Sequence, residues 1–260
     1  MTEYGYSSGD VAIYYQLHGE PTALTPLMLV HGGGSTITTN WGASLPVWAI
    51  DRRVIAVELQ GHGHTAAAER PARFETSADD LAALLAELEV GPVDVLGFSN
   101  GGQVALHLAA RHPSAVRRVI AASAPTKRDA MPREMWDAMA AGTLDDLPAA
   151  YRDGDLAATG GDEDHLRRMF EADREQMLNG FTDFSEAMLQ SISAPVLVVA
   201  GDRDIMSMAN VIWTAQTIPD ARLLIVPGTH GDYLGELGAA DGDLEAMHRT
   251  LPWLLAFLDG

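Results

Sequence analysis

A serine between two glycines is the feature of this sequence that points most directly to chemistry. Residues 97–101 read Gly-Phe-Ser-Asn-Gly; they follow the apolar segment 93–96 and precede apolar residues at helical spacing. A serine on a tight turn from a strand to a helix has its hydroxyl raised above the sheet, and the glycines prevent clashes there. The N–H groups that begin the helix then face any negative charge that develops. The pattern predicts that Ser99 is a nucleophile and that the backbone N–H of Asn100 stabilises an oxyanion.

A second glycine-rich segment predicts the other half of an oxyanion site. Residues 31–34 read His-Gly-Gly-Gly and directly follow an apolar strand that ends at Val30; residues 32–34 are called the triglycine loop below. Glycines let backbone N–H groups approach an oxyanion closely, where a side chain would obstruct them. Acyl transfer needs one donor beside the nucleophile and another from a separate loop. We therefore predict Gly33 as the second donor, with Gly34 as the alternative.

Taken together, the two motifs resemble those of the α/β-hydrolase fold family. The resemblance is to its cap-bearing branch of esterases, lactonases and haloperoxidase-like proteins, and it extends from about Val11 to the C-terminus. In that family the chain order is the nucleophile, then an acid after a late strand, then a histidine after the last strand. The resemblance therefore implies a Ser-His-Asp triad.

The resemblance also implies the other two members of this triad. Residues 195–204 resemble the family's penultimate strand and acid loop, in which the second aspartate usually orients the histidine, and this implies Asp204. Asp202 remains an alternative, because either carboxylate of this loop is able to turn inward. His230 follows the last apolar strand and, of the nine histidines, it alone combines the expected chain order with the expected position.

Short apolar segments that alternate with helical patterns must position these residues. The apolar segments are residues 11–17, 27–30, 54–57, 93–98, 116–121, 196–200 and 223–226. Most are almost continuously apolar, which is typical of parallel strands buried on both faces. The sequence therefore predicts an α/β fold, a mostly parallel twisted sheet of about eight strands flanked by helices, as the resemblance to the α/β-hydrolase fold also implies.

The alternation of strands and helices is interrupted once, late in the predicted sheet. We predict a core domain formed by residues 1–124 and 195–260, and a helical cap formed by residues 125–194 over the carboxyl edge of the sheet, where α/β folds bind ligands. An apolar side chain in these regions either contacts the substrate or simply packs in the core. The candidates for substrate contact are Gly34, Trp41, Trp136, Met139 and Met206.

Composition restricts the classes of partner and site. Seventeen Lys and Arg against 36 Asp and Glu give a net charge of −19, which disfavours nucleic acid and anionic lipid and suits a neutral small-molecule substrate. The absence of cysteine excludes disulfides, thiolate nucleophiles and cysteine-based metal sites. The sequence shows no signal-peptide pattern and no apolar run long enough for a membrane span. We expect a cytoplasmic protein, a monomer or homodimer, with no nucleic-acid or membrane partner.

Two closely spaced histidines invite a metal-site interpretation that we do not favour. Residues 61–64 read Gly-His-Gly-His, but a zinc site needs three or four convergent ligands, and no ligand spacing elsewhere supplies the others. We predict a structural turn here, and neither a metal nor another cofactor for the protein.

These observations predict a serine hydrolase that cleaves a small, neutral, apolar carboxylic ester or lactone through an acyl-enzyme. Two alternatives remain. One is a carbon–carbon bond hydrolase acting on a vinylogous diketone, because relatives use the same triad for that reaction. The other is a non-enzymatic small-molecule receptor built on the same fold.

Overall fold

The computed structural model describes residues 2–240 and 242–260. Its strands are β1 (Glu3–Tyr6), β2 (Tyr14–His18), β3 (Leu27–Val30), β4 (Val54–Val57), β5 (Val93–Phe98), β6 (Val116–Ala122), β7 (Val196–Gly201) and β8 (Ala221–Val226). In this part of the chain they form one eight-stranded sheet, in the order β1-β2-β4-β3-β5-β6-β7-β8. Strand β2 pairs antiparallel with both β1 and β4, and all the other neighbouring strands pair parallel.

The interior strands explain why the sequence predicts this sheet. Every residue of β3, β4, β5 and β7 is buried, as expected for parallel strands covered by helices on both faces. The predicted α/β fold is confirmed. Because parallel strands end at the same edge of a sheet, the segments that follow β5, β7 and β8 converge there.

The first two strands differ from the prediction. The sequence did not indicate β1, because its side chains are mostly exposed and form no apolar run. Strand β2 begins at Tyr14 rather than at residue 11, although Val11 and Ile13 are both buried. The N–H of Ile13 donates to the Val11 carbonyl at 2.9 Å. This local turn uses backbone groups that a longer strand would need for its ladder.

Helices cover both faces of the sheet. They are α1 (Ile37–Trp41), α2 (Leu45–Trp48), α3 (Phe74–Glu87), α4 (Asn100–Arg111), α5 (Arg133–Ala141), α6 (Ala149–Thr159), α7 (Glu163–Glu175), α8 (Glu186–Gln190), α9 (Met208–Thr217), α10 (Leu237–Ala240) and α11 (Glu245–Asp259). Side chains of β3 alternate between two apolar clusters, one with α3 and α4 and the other with α1 and α11. No helix within the described residues is both long enough and apolar enough to span a bilayer.

The interruption of the alternating pattern lies between β6, which ends at Ala122, and β7, which begins at Val196. This segment contains α5, α6, α7 and α8, called the insertion helices below, and α7 continues into a turn of π-helix at Gln176–Gly180. Helix α6 packs against α1 and α10 of the rest of the chain. The division into a core domain and a cap domain remains a prediction.

Candidate active site

Ser99 lies on a strained turn between β5 and α4. Its backbone angles are φ 52° and ψ −115°, a conformation that is unfavourable for a residue with a side chain. The Ser99 N–H donates to the Ala122 carbonyl at 2.8 Å. A Cβ atom at Gly97 would overlap the carbonyl oxygen of Gly101, and one at Gly101 would overlap that of Val30. The two glycines therefore allow the turn to pass close to neighbouring backbone while Ser99 stays at the carboxyl edge of the sheet.

Ser99, His230 and Asp204 form a chain of hydrogen bonds. Nε2 of His230 lies 3.1 Å from Oγ of Ser99, and Nδ1 of His230 lies 2.8 Å from Oδ1 of Asp204. The Asp204 side chain is fully buried, and that of His230 is 21% exposed. A carboxylate facing Nδ1 keeps the proton on that nitrogen, so that Nε2 is free to accept the serine proton. The structure thus brings together three residues that the sequence places after β5, β7 and β8.

The structure places Asp202 away from His230. Its carboxylate accepts a hydrogen bond from the Gly228 N–H at 2.9 Å, and its side chain is 54% exposed. Of the two aspartates that the sequence left open, Asp204 is therefore the one in contact with the histidine.

Ser123 extends the chain of hydrogen bonds beyond Asp204. Its hydroxyl donates to Oδ2 of Asp204 and lies 2.6 Å from the hydroxyl of Tyr233. Burial alone would raise the pKa of Asp204, but the hydrogen bonds from His230 and Ser123 and the charge of His230 hold it below its usual value. This contact was not predictable from the sequence, because a serine after β6 forms no recognisable motif.

Replacing Ser123 with alanine is expected to lower kcat by about tenfold, because a hydrogen bond to a charged group contributes about 1.5–3 kcal/mol. Ser123 has a φ of 48°, so alanine also retains backbone strain, whereas glycine relieves it. Steady-state kinetics of Ser123→Ala and Ser123→Gly separate the two effects. Equal loss in both variants supports the hydroxyl; loss in the alanine variant alone contradicts it.

The triglycine loop is held by hydrogen bonds on both sides of Gly33. The N–H of Gly32 donates to Oδ1 of Asn40 at 2.8 Å, and the N–H of Gly34 donates to the carboxylate of Asp173. The Gly34 N–H is therefore occupied by a side chain of α7. This leaves Gly33, the first choice from the sequence, as the candidate oxyanion donor of the loop.

Asn100 supplies the other candidate donor. It is the first residue of α4, so its N–H has no acceptor within the helix. Asn100, Gly33 and Ser99 all line the same cavity. Two backbone donors from separate loops thus lie beside the serine, which is the arrangement that stabilises an oxyanion.

This cavity has a volume of about 520 Å³, and the insertion helices supply much of its wall. Gly34 and Met139, both predicted substrate contacts, belong to its lining. The apolar part of the wall consists of Met131, Met135, Ala138, Met139, Leu147, Pro148, Met169, Phe170, Met177 and Ile205. Such a surface favours uncharged groups, because an ion loses its hydration there without compensation.

Three predicted substrate contacts are wrong, since Trp41, Trp136 and Met206 lie outside the lining of this cavity. Trp41 is fully buried in the cluster that contains α1 and α11. The Trp136 indole packs against Phe181 and beneath the guanidinium of Arg128, and its N–H donates to the Arg128 carbonyl. Met206 is buried in the cluster that contains α3 and α4. All three side chains stabilise packing.

The two histidines of the Gly-His-Gly-His turn face separate carboxylates. Nε2 of His62 lies 3.1 Å from Oδ2 of Asp173, and Nδ1 of His64 lies 2.9 Å from Oε2 of Glu58. Within residues 2–240 and 242–260, no three His, Asp or Glu side chains converge as metal ligands would.

Comparison with known proteins identifies the family. A model of the alpha/beta hydrolase fold matches residues 25–179, more than half of the chain. The chain belongs to the alpha/beta hydrolase fold family. The resemblance inferred from the serine turn and the triglycine loop is thereby confirmed.

The individual proteins to which this chain is similar are named for different activities. The chain is 41% identical over 101 residues to a 2-hydroxymuconate semialdehyde hydrolase of Pseudomonas sp. (strain CF600), covering 36% of this chain but only 35% of the relative's length. It is 28% identical over 277 residues to the non-heme chloroperoxidase CPO-A1 of Kitasatospora aureofaciens, covering 93% of this chain and 94% of the relative. An esterase structure from Rhodococcus sp. ECU1013 has a TM-score of 0.71 at 25% identity, covering 99% of this chain and 98% of that one.

Proposed function

We propose that this protein is a serine hydrolase that cleaves a small, neutral, apolar carboxylic ester or lactone through an acyl-enzyme. The observation that carries the proposal is the hydrogen-bonded chain of Ser99, His230 and Asp204, with Ser99 opening into a largely apolar cavity. The similarity to an esterase structure along nearly the whole chain supports the same reaction class.

The first half of the reaction forms the acyl-enzyme. His230 accepts the Ser99 proton at Nε2 while Oγ attacks the carbonyl carbon, and Asp204 stabilises the imidazolium that results. The N–H groups of Gly33 and Asn100 donate to the carbonyl oxygen as it becomes negative. The imidazolium then protonates the departing alkoxide, so that an alcohol leaves and the acyl group remains on Ser99.

The second half of the reaction restores the enzyme. His230 removes a proton from water, which attacks the acyl-enzyme and releases the carboxylic acid and the free Ser99 hydroxyl. With a lactone, alcohol and acid remain in one molecule, and the product is a hydroxy acid. We assign the segment 125–194 the role of a cap that selects the substrate, because this segment provides most of the apolar cavity wall.

A fluorophosphonate tests this function without knowledge of the natural substrate. We expect one adduct by intact mass, located on Ser99 by peptide mapping, followed by turnover of neutral esters or lactones in a panel of increasing acyl length. A folded protein that forms no adduct would contradict the proposal and favour the non-enzymatic receptor. Ligand binding without turnover would then be the property to measure.

Carbon–carbon bond hydrolysis of a vinylogous diketone is the second candidate. The specific observation that favours it is the 41% identity to a 2-hydroxymuconate semialdehyde hydrolase over 101 residues. That name describes an unsaturated carbonyl compound rather than an ester. Including a vinylogous diketone in the panel distinguishes the candidates, because only this reaction releases products by breaking a carbon–carbon bond.

A further inference from the structure

One side chain of the insertion helices reaches the triglycine loop. Oδ2 of Asp173, in α7, accepts the N–H of Gly34 and lies 3.1 Å from Nε2 of His62. The side chains of Asp173 and His62 are only 16% and 7% exposed. A single buried carboxylate oxygen therefore connects α7, the triglycine loop and the Gly-His-Gly-His turn.

The hydrogen-bond partners of His62 require both of its ring nitrogens to carry protons. Nδ1 lies 3.1 Å from the carbonyl oxygen of Gln60, and Nε2 faces the Asp173 carboxylate. A carbonyl and a carboxylate only accept hydrogen bonds. Burial alone would lower the pKa of His62, but the charge and hydrogen bond of Asp173 raise it to about 9. Burial would raise the pKa of Asp173, but His62 holds it below its usual value. The pair is ionised at neutral pH.

Two further titratable groups face His62. The ring of His31 lies 4.9 Å from that of His62, and burial together with the His62 charge lowers the pKa of His31 to about 3, so that His31 is neutral. The carboxylate of Asp155, in α6, is also nearby, but it lies 3.1 Å from Nδ1 of His165. Asp173 is thus the carboxylate that pairs directly with His62.

We propose, on the basis of the proposed function, that Asp173 is a positioning residue that holds the triglycine loop with the Gly33 N–H directed at the oxyanion. Glycines have no side chains to restrict their backbone, so hydrogen bonds must fix the conformation of this loop. Asn40 holds the N–H before Gly33, and Asp173 holds the N–H after it. An oxyanion donor is effective because it is in place before the charge develops.

The positive charge of His62 balances the negative charge of the Asp173 carboxylate, which lies beside the candidate oxyanion site. An uncompensated negative charge beside a developing oxyanion would raise the barrier, and the imidazolium of His62 cancels it. When His62 loses its proton, the charge of Asp173 is no longer balanced and one hydrogen bond of His62 is lost. We therefore expect wild-type activity to fall as the pH rises through about 9, the pKa of His62.

The experiment compares four proteins: wild type, Asp173→Ala, Asp173→Asn and Asp155→Ala. Asp155 is a matched control, because it is a buried carboxylate of the insertion helices that binds the same turn, accepting the Gly63 N–H at 3.2 Å, but not the triglycine loop. The measurements are kcat, KM and the rate of fluorophosphonate labelling, from about pH 6 to about pH 10, a range that spans histidine titration.

We expect Asp173→Ala to lower kcat and the labelling rate by at least about tenfold, because a small displacement of a reacting group is costly. Asp155 does not line the cavity, so Asp155→Ala should keep kcat much closer to the wild-type value. Asp173→Asn keeps an acceptor oxygen for Gly34 without a charge, so it should restore most of kcat and abolish the fall above about pH 9.

Three results would overturn the inference: labelling of Asp173→Ala at the wild-type rate, an equal loss of kcat in Asp155→Ala, or a persistent fall above about pH 9 in Asp173→Asn. The pH profile of Asp173→Asn tests the proposed role of Asp173 even if Asp173→Ala does not fold. A wild-type protein that is never labelled contradicts the proposed function itself, so the two failures are distinguishable.

Discussion

Replacing Ser99 with alanine is expected to lower turnover by roughly a millionfold, the scale seen when the nucleophile of a serine hydrolase triad is removed. Without Oγ no acyl-enzyme forms, and the oxyanion donors alone sustain only a small residual rate. Alanine keeps the Cβ atom of serine, so the strained turn at φ 52° is unchanged in shape. Initial rates and intact mass after fluorophosphonate treatment measure the effect.

A serine outside the cavity provides the control for this experiment. The hydroxyl of Ser191 donates to the Met188 carbonyl at the end of α8, and Ser191→Ala should keep wild-type turnover and form the normal adduct. If purified Ser99→Ala retained more than about one hundredth of wild-type turnover, far above the residual rate expected without a nucleophile, Ser99 would not be the nucleophile.

Replacing Asp204 with asparagine is expected to lower kcat by about ten-thousandfold, as in other triads whose acid becomes an amide. The amide N–H₂ would face Nδ1 of His230 and favour the tautomer that carries its proton on Nε2. That nitrogen would then be unable to accept the Ser99 proton. The measurement is kcat on the best ester of the panel, together with circular dichroism to verify folding.

Asp202→Asn is the matched control, because the two aspartates lie two residues apart in the same loop. The Asp202 side chain is 54% exposed, and an asparagine oxygen is still able to accept the Gly228 N–H. We expect near-wild-type kcat. A greater loss in Asp202→Asn than in Asp204→Asn would reverse the assignment of the acid.

The fold was predictable where the burial of a strand leaves a recognisable apolar pattern in the sequence. Strands β3, β4, β5 and β7 are buried on both faces, and this leaves a continuous apolar run in the sequence. Strand β1 was missed because an exposed edge strand has no such pattern. The start of β2 was misplaced because buried residues outside a strand, such as Val11, look the same in sequence as residues within one.

The site was predictable only for those residues that belong to short sequence motifs or follow the expected chain order. The glycines around Ser99 mark a turn that few other residues allow, and chain order selects His230. The choice between Asp204 and Asp202 depended on the resemblance, because two aspartates in one loop are equivalent until the backbone directs one inward. The errors at Trp41 and Met206 have the same origin: an apolar residue that follows a strand does not reveal which side of the sheet buries it.

Contacts between distant segments left no sign in the sequence. Ser123 meets Asp204 across 81 residues, and Asp173 meets His62 across 111. Neither pair has a characteristic spacing, since each depends on how the insertion or the sheet brings separate segments together.

Methionine thioethers form a large part of the cavity wall, and this gives the protein a chemical vulnerability that lies apart from its reacting groups. Oxidation converts a thioether into a polar sulfoxide. Such a change in Met131, Met135, Met139, Met169 or Met177 would make the wall polar while leaving the hydrogen bonds of Ser99, His230 and Asp204 in place. With no cysteine in the chain, methionines supply all of its sulfur atoms, and oxidation of those in the wall would alter which molecules are bound rather than the groups that cleave them.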